Sequence, residues 1–85
     1  MATGVTESTL PRHIPAQDIL KALRAAFKLS TADSDYRIFV CAYRTYHAAS
    51  KRMPWFARRW YREYKKSGEI RYEMLRVYQI VVQGI

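Results

Sequence analysis

The chain has 85 residues, 15 Lys or Arg against 7 Asp or Glu, and a formal net charge of +8. That length makes one domain with a marginal core, and an apolar content of 49% excludes a disordered tail. No run reaches the ~18–20 apolar residues that cross a bilayer, and so few Gly and Pro (three of each) suit helices better than a small β-barrel.

Residues 1–15 hold Thr, Ser, Gly and two prolines without an apolar period, which reads as an extended arm. They lack the apolar core of a secretory signal, and Glu7 with few arginines makes a poor cleavable presequence. Residues 16–85 read as a single helical domain. The first helix is expected over 16–29, where Ile19, Leu20, Leu23 and Phe27 share a face and Lys21, Arg24 and Lys28 lie mainly opposite. This is the pattern of a half-buried helix, and the same pattern fits a membrane surface or an internal import signal. The run from Ser30 to Asp35 then offers several N-caps.

The second helix is expected over 34–52, with Tyr36, Phe39, Val40, Tyr43, His47 and Ser50 in one stripe. Pro54 ends it, since the residue before a proline avoids the α region, and suits the first turn of the third helix, 54–66. There Phe56, Trp60 and Tyr64 recur every four residues, beside a cationic stripe of Arg58, Arg62, Lys65 and Lys66. Ser67-Gly68 gives a stop. The last helix, 69–83, carries Ile70, Met74, Val77, Tyr78, Val81 and Ile85 on one stripe, widened by Leu75, Ile80 and Val82. So broad an apolar surface calls for cover on two sides.

Charge is unevenly placed. Residues 1–36 balance, and the whole excess lies from Arg37 onward, where only Glu63, Glu69 and Glu73 oppose the bases. Such a field favours an acidic partner: nucleic acid, anionic lipid or an acidic protein. Cys41 is the single cysteine, so no intramolecular disulfide forms, and neither His13 nor His47 stands at metal-ligand spacing from it. It reads as a small buried hydrophobe. His47, with no paired carboxylate or neighbouring nucleophile, reads as structural or surface. No phosphate loop, catalytic carboxylate pair, serine elbow or metal cluster occurs, so the chain reads as non-catalytic.

The central stretch has an ordered set of features: Tyr43-Arg44, then Lys51-Arg52-Met53-Pro54, then Tyr61-Arg62-Glu63-Tyr64-Lys65-Lys66. This set resembles the LYR-motif (Complex 1 LYR-like) family of small three-helix mitochondrial proteins. Their pattern is Leu-Tyr-Arg within a helix, further basic residues, often a proline, then a block like Arg-x-Glu-Phe-Arg on a second helix. Ala42 stands where leucine is usual, Tyr64 replaces the phenylalanine, and a helix precedes the motif. The spacing is close to that of the family's succinate dehydrogenase assembly factor branch. A competing register at Ala22-Leu23-Arg24 offers neither tyrosine nor a proline at the right distance.

The resemblance implies an all-α fold, a three-helix LYR-type bundle preceded by one additional helix. It also implies a partner, the mitochondrial acyl carrier protein, whose acyl-phosphopantetheine slides between the helices; the chain itself would need no cofactor. Tyr43, Arg44, Lys51, Arg52, Arg58, Arg62, Lys65 and Lys66 would meet the carrier's acidic side chains and the arm's phosphate, for which the guanidinium fork is suited. Phe39, Tyr43, Trp60, Tyr64, Met74, Tyr78 and Val81 would line the acyl chain. Without the resemblance, such stripes ordinarily mean core and such charge runs a solvated face.

The expected role is an adaptor in the mitochondrial matrix or on the matrix face of the inner membrane. It would hold the carrier against a respiratory-chain assembly, foremost as an accessory subunit of complex I. The rivals are an assembly factor (iron–sulfur cluster insertion, succinate dehydrogenase), an RNA-binding protein of the mitochondrial ribosome using Trp55, Trp60 and Tyr61 among arginines, and a structural subunit that kept the fold without the carrier.

Overall fold

A computed structural model describes residues 10–48 and 56–85. Four α-helices form in chain order: α1 (Ala16–Ala26), α2 (Asp35–Tyr46), α3 (Ala57–Ser67) and α4 (Tyr72–Tyr78). A π-helical turn, Gln79–Gln83, continues α4, and no strand occurs among the described residues. The fold is all-α, as expected.

Helix α2 is the centre. It buries Ile38, Phe39, Ala42 and Tyr43, a stripe wide enough to meet three neighbours. α1, α3 and α4 all pack on it, α4 and the π turn also approach α1, and among the described residues the backbone of α3 comes close to no helix but α2. The small side chains of Ala42 and Ala57, both fully buried, permit close backbone approach. From α1 come Ile19, Leu20 and Leu23, and from α4 come Met74, Leu75 and Val77.

The expected extended arm is not extended at its described end. Pro11 is buried, Leu10 and Ile14 pack against the core, and the Arg12 N–H bonds the Leu10 carbonyl at 2.7 Å. Residues 1–9 lie outside the described part.

Helices α1, α2 and α4 are shorter than expected, each for a local reason. α1 stops at Ala26 rather than near Leu29, because Lys28 adopts a left-handed conformation, φ 58°. The Lys28 N–H then bonds Ala25 O at 3.0 Å and the Leu29 N–H bonds Arg24 O at 2.9 Å, a Schellman closure that usually employs glycine. The connection to α2 is organised by Arg24 more than by N-caps. Its guanidinium donates to the Ser30 carbonyl at 2.5 Å, the Asp33 carbonyl at 2.9 Å and the Asp35 carboxylate at 2.7 Å. Ser34 occupies the N-cap position without a side-chain capping bond.

α2 ends at Tyr46, with His47 at φ −105°, ψ 36°, so the helix stops well ahead of Pro54. Thr45 Oγ1 donates back to the Cys41 carbonyl at 2.9 Å, a bond that weakens the last turn by competing for its acceptor. Pro54 and the rest of 49–55 lie outside the described residues.

α3 ends where expected. Gly68 takes the left-handed cap, φ 79°, and its N–H bonds Tyr64 O at 2.7 Å. Ser67 Oγ accepts from the Glu69 N–H at 3.1 Å, and Arg71 is extended, φ −67°, ψ 158°. These constraints delay α4 to Tyr72, three residues beyond the expected start. The apolar stripe runs as far as Val81 and is lost after the left-handed Gly84, φ 74°. Met74 and Val77 are buried and Tyr78 and Val81 half-buried, but Ile85 is 59% exposed. Gln79 fills the junction, fully buried, with Arg76 Nη1 donating to its Oε1 at 2.7 Å. One side of the last helix is covered by α1 and α2. Ile80, Val82 and Ile85 remain exposed.

Lys28 gives a direct test of the α1 closure. A left-handed L-residue is strained by its Cβ, and Lys28→Gly removes that contact, so unfolding by denaturant should show a gain of about 0.5–1 kcal/mol. A loss of stability would mean that the Lys28 side chain, not the backbone turn, holds this corner.

Candidate functional site: an arginine-rimmed aromatic cleft

The end of α2, the start of α3 and the segment entering α4 converge on a cleft of about 570 Å³ lined by Tyr43, His47, Phe56, Arg58, Arg59, Trp60, Arg62, Arg71 and Glu73. Its floor is aromatic. Tyr43 and Trp60, both buried, meet with ring centres 5.0 Å apart. His47 lies 4.5 Å from Tyr43 and 6.1 Å from Trp60, and Phe56 stacks over Tyr43 at 6.4 Å. The helical spacing makes this floor: His47 follows Tyr43 by one turn of chain, and Trp60 follows Phe56 likewise. Phe56 keeps 40% of its surface exposed, so the floor is open to an incoming group.

The rim is cationic. Arg58, Arg59 and Arg62 are exposed, and among the described residues none of them has a carboxylate partner. Arg71 differs. Its Nη1 meets Glu63 at 3.0 Å, its Nε meets Glu73 at 3.2 Å, and its Cζ lies 5.9 Å from the centre of the Trp60 ring. Burial works against the Arg71 charge, but the Glu73 hydrogen bond and the charges of Glu73 and Glu63 outweigh it and hold the guanidinium above its usual pKa. It stays charged throughout the physiological range.

A second aromatic cluster lies further along the α2–α3 junction. Tyr61 sits edge-on to Tyr36 at 5.5 Å and to Phe39 at 5.4 Å, and Tyr64 lies 5.7 Å from Phe39. Lys65 Nζ stands 5.9 Å from the Tyr61 ring centre.

The residues singled out from the sequence therefore separate. Tyr43, Arg58, Trp60 and Arg62 come together in the cleft. Arg44 is exposed on α2 and Lys66 on α3, neither lining the cleft, and Lys65 belongs to the second cluster. Phe39 and Met74 have no exposed surface and are walls of a closed interior. Tyr64 lines a smaller hollow with Gln17, Leu20, Lys21, Arg24, Asp35 and Ile38, and Tyr78 and Val81 pack on the core. Lys51 and Arg52 lie outside the described residues. The expected acyl lining is thus spread over cleft, hollow and core.

Phe56, Arg59, Arg71 and Glu73 line the cleft without being among the site residues expected from the sequence. Arg59 was legible as the neighbour of Trp60, but Arg71 and Glu73 reach the cleft only because the Gly68 turn reverses the chain. His47, read as structural or surface, is half-buried in the floor. Cys41 is half-buried rather than buried. No group of three or more His, Cys, Asp or Glu able to hold a metal occurs among the described residues, and none of their helices is long and apolar enough to cross a membrane.

An aromatic floor with guanidinium forks above it suits a ligand with an apolar body and an anionic group. The rim charges are not part of what holds the fold. Arg58→Gln combined with Arg62→Gln should leave the melting midpoint within about 3 °C of the native value, or raise it. Trp60→Ala should cost about 3–5 kcal/mol and unfold a domain this small. A large drop in midpoint for the arginine pair would show that the rim is structural. Against known proteins, no family model, no curated protein and no solved structure matches the chain.

Proposed function

We propose that the chain is a non-catalytic mitochondrial adaptor of LYR type. It binds acylated acyl carrier protein and anchors it to a respiratory-chain assembly, foremost as an accessory subunit of complex I. The observation that carries this reading is the cleft, where Arg58, Arg59 and Arg62, without carboxylate partners among the described residues, stand over an aromatic floor built from Tyr43, next to the motif's Arg44, and from the helix that carries the second basic block. The arginine forks suit the carrier's acidic side chains and the phosphate of its prosthetic arm. The rings receive the apolar part that follows.

A chain of ~10 carbons gains roughly 0.8 kcal/mol per methylene buried, which is large beside the stability of a domain of this size. The open side of the last helix, with Ile80, Val82 and Ile85 exposed, favours a docked protein over a free-standing chain. That exposure also supports the adaptor over the RNA-binding reading, which has no use for an apolar face. Permanent subunit and assembly factor differ in persistence: the first co-purifies with the intact complex, the second with intermediates.

The test is affinity capture of the tagged chain at moderate salt, followed by intact mass measurement of its companions. The expected companion is a small acidic protein carrying an acylated phosphopantetheine. Arg58→Glu with Arg62→Glu should reduce its recovery at least about tenfold without loss of helicity. Capture of RNA and ribosomal proteins in its place would falsify the adaptor reading, and a respiratory complex without the carrier would leave only the structural role.

A further inference from the structure

Arg71 is the cleft cation that already has partners, and it holds them with different atoms. Its Nε, at the base of the guanidinium, bonds Glu73 at 3.2 Å, where both side chains are mostly buried. Its Nη1, at the fork end, bonds Glu63 at 3.0 Å, a carboxylate half exposed to solvent. Its Cζ lies 5.9 Å from the centre of the Trp60 ring. Opposite stand Arg58, Arg59 and Arg62, repelling one another with no carboxylate partner among the described residues.

We infer that Arg71 is an exchangeable clamp on a phosphate-bearing ligand: Glu73 positions it, Glu63 parks it, and the ligand takes the fork end from Glu63. The ligand class rests on the adaptor reading, whereas the exchange rests on the geometry of Arg71 alone. An exposed ion pair is weak and readily given up. A phosphate shared with three further arginines offers the fork a bidentate, less hydrated partner. Release from Glu63 also removes a charged tie between α3 and the segment entering α4.

The two glutamates therefore have opposite effects, which simple attraction does not predict. If the cleft merely attracted anions, removing either negative charge would tighten binding. With the clamp, Glu63→Gln frees the fork and tightens binding, while Glu73→Gln removes the anchor and weakens it.

The experiment is a titration of the full chain with inorganic pyrophosphate at low ionic strength, followed by Trp60 emission in a Trp55→Phe background. The expected results are about fivefold tighter binding for Glu63→Gln and at least about threefold weaker binding for Glu73→Gln. Arg71→Lys, which keeps the charge and loses the fork, should weaken binding and abolish the emission change. Glutamate effects of the same sign, or no saturable binding to the native chain, overturn the clamp. Capture without an acylated carrier, beside glutamate effects of opposite sign, sinks the adaptor reading and leaves the clamp standing.

Discussion

The contact between Tyr43 and Trp60, ring centres 5.0 Å apart, joins α3 to the rest of the molecule and forms the floor of the cleft. Among the described residues α2 is the helix whose backbone comes closest to α3, so the position of α3 depends chiefly on this contact and on the Phe39–Tyr61–Tyr64 cluster behind it. Each buried ring supplies about 1.5–3 kcal/mol through area and about 0.5–1.5 kcal/mol more where the pair geometry is good. A domain of 85 residues has few other sources of comparable size. The aromatic face of α3 therefore both holds the helix and forms the cleft floor, and its loss would remove the cleft by removing the wall.

The opposite faces of α3 work against the fold. Arg58 and Arg59 lie in its first turn, where the helix dipole disfavours cations and no acidic residue offsets them. Lys65 and Lys66, in the last turn, are correctly placed. A helix with cations and no acidic residue in its first turn owes its place to packing more than to its own electrostatics. An anionic partner at that end relieves the arginines' mutual repulsion and the dipole penalty together, which is the usual form of a surface kept ready for binding.

Much of this was legible in the sequence, and the failures share a cause. The spacing of Ile19, Leu20 and Leu23, of Phe39 and Tyr43, and of Met74 and Val77 found the buried faces because helical period and burial report the same thing. Gly68 was legible as a stop because a left-handed cap favours glycine. Lys28, which takes the same conformation without glycine, was not. The π turn at Gln79–Gln83 left no mark, since its residues keep an α-like apolar spacing. In the site, Tyr43 and Trp60 were found by stripe, each within its own helix. Arg71 was missed because it meets Trp60 and Glu63 across a reversal of the chain, and periodicity carries no information across a turn.

The closed interior constrains how an apolar chain would bind. Phe39 and Met74 have no exposed surface, and close-packed interiors hold few voids larger than a water molecule. A chain reaching past Tyr43 would therefore have to displace packed side chains, and the rearrangement would fall on α3, whose backbone comes close only to α2 among the described helices. That displacement is costly for the chain alone, since methylene burial gains little while native contacts are being lost. Charge capture at the rim would offset part of the cost, so headgroup and chain affinities would be coupled. The same reasoning makes the chain without its anion a poor ligand. It also makes the anion without its chain a weak but measurable one, bound at the rim while the core stays shut.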